Sequence, residues 1–194
     1  RYWAASETSL GADFRCSENR IIGSKKFLTK IWNVARFISI FPIQKEVELT
    51  LSDKWILSEV SKLIEECSIG YNDFNFFIPA NKVREFTWNT FAAHYLEMVK
   101  GRAYGSGFNN QKQKIFSEQE QKSAWFTLHT VMKTILLLLA PIVPFVTDAL
   151  WREMYGKGSI HKKMFPKAIW NKEYSKYTEN LLEFNSKVWF EKKN

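Results

Sequence analysis

At 194 residues the chain can bury a sizeable core within one domain, and with 45% apolar and 25% charged residues it has the balance of a globular protein. Its net charge of +8 favours an anionic partner. The longest apolar run, Ile135 to Val146, is interrupted by Pro141 and Pro144 and falls short of the roughly 20 residues of a membrane span, which argues against a membrane protein. Cys16 and Cys67 lie far apart and outside any CxxC pattern, which excludes a disulfide framework or zinc cluster and fits a reducing, cytoplasmic setting. Aromatic residues make up 16% of the chain, more than a minimal core requires, so some rings are available to a partner.

In chain order, residues 1–17 carry small or flexible positions at Ser6, Ser9 and Gly11 without a sustained period, and read as an irregular lead-in. From Glu18 to Phe41 the apolar positions Phe27, Leu28, Ile31, Val34, Ala35, Ile38 and Phe41 recur at helical spacing until Pro42. A second helix is expected after an N-cap at Ser52, burying Ile56, Val60, Leu63 and Cys67 before Gly70. A third runs from about Pro79 to Lys100, with Gly101 as its stop and a loop from Gly101 to Gln113. Ser117 and Glu120 form a capping box that opens a fourth helix, with Ala124, Leu128, Val131, Ile135 and Leu138 on one side. Pro144 starts a fifth, through Trp151 to Tyr155, and Gly156 stops it. Ser159 to Pro166 reads as extended, and a last helix from about Tyr174 aligns Tyr177, Leu181, Phe184 and Val188. The expected fold is an all-α antiparallel helical bundle over 18–158, preceded by 1–17 and followed by 159–194, to which no function is assigned.

No catalytic constellation emerges. His94, His129 and His161 are solitary, which disfavours a metal site, and the chain has no nucleophile elbow, no phosphate-binding GxxxxGK[ST] loop and no GxGxxG turn. The anomaly lies in the first predicted helix. The window Asn19 to Lys45 contains Arg20, Lys25, Lys26, Lys30, Arg36 and Lys45 without one acidic residue. At about 100° per residue, Lys26, Lys30, Asn33 and Phe37 fall within about 60° of one another, away from the apolar face centred on Ile31, with Arg36 flanking them. A ring among cations and an amide offers base stacking, phosphate neutralisation and base-edge hydrogen bonds on one rigid element. The competing reading makes Phe37, with Ile40 one turn on, part of a wide core face.

Several blocks carry a resemblance. Arg1-Tyr2-Trp3-Ala4-Ala5-Ser6, Gly11-x-Asp13 and Lys30-Ile31-Trp32-Asn33-Val34-Ala35-Arg36-Phe37 resemble, in order and spacing, the segment after the catalytic domain of valyl-tRNA synthetases, which are class I enzymes. Asp53 to Ser58, Phe86-x-Trp88-Asn89-x-Phe91, Tyr95 to Lys100 and Leu138 to Phe145 continue it, so that it covers residues 1 to about 166. The Pro-x-x-Pro-Phe turn is shared with isoleucyl- and leucyl-tRNA synthetases, whereas the Lys-x-Trp-Asn block is the more specific. Where the family usually has Leu and His, this chain has Ile31 and Ala140.

The resemblance implies an anticodon-binding bundle in which Lys30, Asn33, Arg36 and Phe37 face the tRNA anticodon and residues 1–17 meet the inner bend of the tRNA. Arg20, Lys25 and Lys26 complete the expected tRNA-binding set. The implied partners are valine tRNA isoacceptors and the catalytic and editing domains of a monomeric parent synthetase. This segment itself would need no cofactor; ATP and magnesium would serve the parent's catalytic domain, since no counterpart of that domain's signature motifs occurs here. The chain starts at Arg1 rather than Met and lacks a signal-type apolar region, so an internal segment of a longer protein is expected. Two rival readings are the equivalent domain of an isoleucyl- or leucyl-tRNA synthetase and a helical scaffold for proteins.

Overall fold

The computed structural model describes residues 1–9, 11, 13, 15–106 and 115–191. Among these every regular element is helical, as expected. The elements are α1 (Tyr2–Glu7), α2 (Glu18–Ile38), α3 (Leu51–Asn72), α4 (Phe77–Glu85), a π-helical segment (Phe86–Tyr95), α5 (Leu96–Tyr104), α6 (Glu118–Leu139), α7 (Pro144–Tyr155), two 3₁₀ turns (Ile160–Lys162 and Lys172–Tyr177) and α8 (Thr178–Glu191). The single long helix expected between Pro79 and Lys100 is therefore a rod of α4, π-segment and α5. The apolar stripes read from the sequence close onto one core, in which Phe27, Ile31, Ile38, Ile56, Val60, Cys67, Leu128, Val131, Ile135 and Leu138 are all buried.

A charged hub holds that core together. The Asp53 carboxylate in the first turn of α3 is fully buried and is paired with the Arg102 guanidinium from the last turn of α5. It also accepts hydrogen bonds from Tyr95 of the π-segment, Ser123 of α6 and, at 2.7 Å, the Thr50 hydroxyl. Arg102 donates a further bond to Thr50 Oγ1 at 2.5 Å. One carboxylate thus fastens three helical rods, and burial together with the neighbouring Asp53 charge pushes the Tyr95 hydroxyl well above its usual range.

The hub explains two departures from the sequence reading. The N-cap of α3 is Thr50 rather than Ser52, because the Asp53 carboxylate reaches back to the Thr50 N–H at 3.3 Å while serving the ion pair. Gly101 does not stop the third rod. Helix α5 continues to Tyr104, carrying Arg102 to Asp53, and ends at Gly105, whose φ of 62° is the left-handed conformation that suits glycine. Residues 107–113 of the expected loop lie outside the described residues. Helix α3 likewise runs past Gly70 to Asn72. A Cβ at Gly70 would meet Pro79 Cδ at 2.7 Å, so glycine permits the close approach of α3 and α4.

Residues 1–17 are not wholly irregular. Helix α1 docks through Tyr2, whose hydroxyl donates to the Ala80 carbonyl at 2.9 Å and whose ring lies 4.8 Å from Phe27. At the other end the chain folds back onto α3: the Trp170 N–H donates to Ser61 at 3.0 Å, Lys172 pairs with Glu65 at 2.8 Å, and Trp55 Nε1 donates to Thr178 at 2.9 Å. Trp189 stacks on His94 with centroids 5.1 Å apart, so α8 turns Leu181, Leu182 and Asn185 inward. The stripe expected from Tyr177 through Val188 is split: Leu181 and Val188 are half-buried, whereas Tyr177 and Phe184 are exposed, Phe184 to 65%.

Removing one partner of a buried ion pair strands the other charge, at a cost of about 3–5 kcal/mol. Asp53→Ala should therefore lower unfolding stability in urea by about that much, while Asp53→Leu combined with Arg102→Met should recover most of the loss. Equal destabilisation by the single and double variants would refute the hub as an ion pair.

Candidate nucleic-acid interface

Helix α2 lies across the bundle with Phe27, Ile31, Val34, Ala35 and Ile38 buried, so its cationic residues are turned outward by the same periodicity that builds the core. Arg20, Lys25, Lys26, Asn33 and Arg36 are exposed, and Lys30 is half-buried. Arg20 is paired with Glu7 of α1 at 2.7 Å, and it remains 64% exposed.

The structure divides the expected site in two. Lys25, Lys26, Lys30 and Asn33 gather with Ile22 and Thr29 around Trp88, a ring of the π-segment that is 41% exposed. The Lys30 ammonium lies over that ring, 5.9 Å from its centroid. On the other side of Trp88 a groove of about 770 Å³ opens between α1, α2 and α4, bordered by Arg20, Gly23, Lys26, Arg84 and Asn89, with Glu7 and Glu85 as its carboxylates.

Phe37 stands apart from this group. It is half-buried, with edge contacts to Phe41 at 5.3 Å and to Tyr104 at 5.9 Å. Phe41 in turn contacts Tyr104 at 5.2 Å and stacks on Trp125 at 6.4 Å. The cluster is pinned at α5, where Trp125 Nε1 and Gln121 Nε2 donate to the Ala103 carbonyl at 2.8 and 3.2 Å. Phe37 thus packs on the core and also borders a surface where Tyr104 is 52% and Ile40 64% exposed.

Sequence reasoning missed Trp88, Tyr104 and Arg84. Each comes to α2 from a rod far away in the chain, and only its type, a ring or a cation beyond core needs, could have marked it.

His129 supports the cluster from beneath. Its Nε2–H donates to the Phe41 carbonyl at 2.9 Å, and Nδ1 faces the Tyr155 hydroxyl at 3.3 Å. Burial holds its pKa below the ordinary histidine range, against the opposing pull of the Phe41 bond. Among the described residues no group of three or more His, Cys, Asp or Glu side chains is placed to hold a metal ion.

The family described as the anticodon-binding domain of tRNA ligase matches residues 53–191. The chain belongs to that family. The match includes residues 167–191, which the sequence blocks did not reach, and their docking on α3 explains why they travel with the bundle. Helix α2 precedes the matched stretch, but longer similarities include it. The chain is 40% identical over 192 residues to a valine–tRNA ligase of Pyrobaculum aerophilum, covering 97% of this chain and 23% of that protein. It is 36% identical over 199 residues to one of Aeropyrum pernix, with the same coverage, and 32% identical over 193 residues to one of Nanoarchaeum equitans. The chain thus spans 23% of the length of these relatives, which is the share expected of an anticodon-binding domain rather than a whole ligase.

Burial of His129 makes the stability of the domain depend on pH. The unfolded chain binds a proton to His129 near pH 6.5, whereas the folded chain resists it, so stability is full above that pH and declines as pH falls towards the lower folded value. The urea midpoint should drop between pH 7 and 5, and His129→Gln should flatten that part of the profile. An unchanged slope in the variant would assign the effect elsewhere.

Proposed function

We propose that this domain grips the anticodon arm of a tRNA and reads its anticodon, with the valine isoacceptors as the preferred partners, as part of a valine–tRNA ligase. The observation that carries the proposal is that α2, free of acidic residues from Asn19 onward, sets its outward cations beside two exposed rings, Trp88 alongside Ile22 to Asn33 and Tyr104 beside Phe37. Cations neutralise phosphates and rings receive unstacked bases, the combination that recognition of single-stranded loops requires. Phe37, with Arg36 beside it and Asn33 one turn before it, takes the anticodon, while Arg20, Lys25, Lys26 and Lys30 hold the backbone.

The rest of the parent protein activates valine with ATP and magnesium and transfers it to the tRNA end. The domain needs neither of these cofactors for its own binding step. The parent acts as a monomer in the cytoplasm. Among the described residues no helix is long and apolar enough to cross a membrane.

Binding of the protein to unfractionated tRNA, followed by sequencing of what is retained, tests the reading directly. Enrichment of valine isoacceptors is expected, and enrichment of isoleucine or leucine isoacceptors would move the assignment to a sister ligase. Affinity should fall about a hundredfold between 50 and 200 mM salt if about five phosphates are neutralised. A salt-insensitive interaction would point to a protein scaffold.

Phe37→Ala should weaken tRNA binding about tenfold or more, since stacking is worth about 1–3 kcal/mol per base, and Phe37→Trp should largely keep it. A moderate loss of stability is also expected, because the ring is half-buried. Wild-type affinity in a folded Phe37→Ala protein would remove Phe37 from the RNA-facing set.

A further inference from the structure

Two features beside α2 are not accounted for by the packing of the core: a glycine inside the helix and an exposed ring on the π-segment. Gly23 sits inside a 21-residue helix, where glycine weakens the helix relative to alanine, and a Cβ built there would meet nothing within 4 Å. Neither packing nor backbone conformation asks for glycine at this position. Facing it across the groove, the rod is π-helical over Phe86–Tyr95, an uncommon widening that is frequent at functional sites. It presents Trp88 as an exposed ring between two openings rather than burying it as it buries Phe86 and Phe91.

The charges of the two openings are lopsided. Arg20 and Glu7 pair with each other at 2.7 Å, which leaves Lys25, Lys26, Lys30 and Arg84 against Glu85. A bare stretch of helix backbone, flanked by cations and roofed by a flat ring, suits a sugar-phosphate strand running close to α2 with one base turned onto the ring. The position is also distinct from the Phe37 cluster: Gly23 lies 14 residues, about 21 Å along the helix, from Phe37, and the α2 residues gathered around Trp88 end at Asn33, one turn short of it.

We propose that the groove between α2 and the π-segment is a second RNA contact, in which Trp88 stacks on an unpaired base and Gly23 lets the adjoining backbone approach α2 between Lys26 and Arg84. This rests on the reading of the domain as a tRNA binder and adds to it a contact remote from Phe37. Lys30, above the Trp88 ring, would hold the base's phosphate or the ring itself according to whether RNA is present.

Three substitutions separate this role from a structural one, with tRNA affinity and thermal melting read on the same protein. Trp88→Ala should cost about tenfold or more in affinity for unfractionated tRNA, Trp88→Phe no more than about threefold, and neither should shift melting greatly, because the ring is part-exposed. Gly23→Gln should raise the melting temperature, since it strengthens the helix, and yet lower affinity at least fivefold by filling the approach. That opposition of signs is what a merely structural glycine would not give. Wild-type affinity in Gly23→Gln and Trp88→Ala, beside Phe37→Ala that binds weakly, would overturn this inference and leave the function standing. If the unsubstituted protein binds no tRNA, both fall together.

Discussion

The Asp53 carboxylate is the constraint on which the arrangement turns. A fully buried negative charge is unfavourable unless it is paired and saturated with donors, and here the donors come from α5, the π-segment and α6. Satisfying it fixes three things at once: the start of α3, the length of α5 and the rotation of the π-segment through Tyr95. Tyr104 stands two residues beyond Arg102, and Trp88 seven residues before Tyr95 on the same rod. The two rings that flank α2 are therefore placed by an interaction buried on the far side of the rod, which does not itself face the RNA. Precision at the surface is obtained from polar groups in the interior.

This arrangement also determines which parts of the molecule were legible in the sequence. Helix α2 could be read almost to its ends, because its signal is local: apolar positions at helical spacing and a one-signed polar face. The Ser117–Glu120 capping box and the Pro144 start of α7 are local too, and they stand where the pattern put them. The errors fall where a long-range partner decides between equal local choices. Ser52 and Thr50 are both good caps, and the ion pair to residue 102 selects Thr50. Gly101 and Gly105 are both plausible stops, and the need to bring Arg102 to Asp53 selects the second. Helix α1 is too short to show a period, and its anchor is a hydrogen bond from Tyr2 across 78 positions.

The functional face follows the same division. Every cation proposed from the sequence is on α2 and points away from the core, since charge and periodicity are properties of one helix. What the sequence joined as a single constellation, however, the tertiary structure separates. Lys26, Lys30 and Asn33 share the side of the helix that Phe37 occupies, but Trp88 packs against one half of that side and Tyr104 against the other. No reading of α2 alone could show that its face is shared between two neighbours.

That division bears on how a single helix can serve both affinity and discrimination. Cations beside the groove would act at any phosphate and carry little sequence information, so in the proposed reading the Trp88 side of α2 positions the RNA. Around Phe37 the balance reverses: Phe41 and Tyr104 hold the ring's edges, and His129 holds the Phe41 carbonyl from the core. A base docking there meets a surface whose shape is set before it arrives, and ordering costs little on binding. In the proposed reading, rigid support under one end and open, cationic backbone at the other let the strand be captured first by charge and then judged by fit. In this molecule the same helix does both because its buried stripe is continuous while its outer neighbours are not.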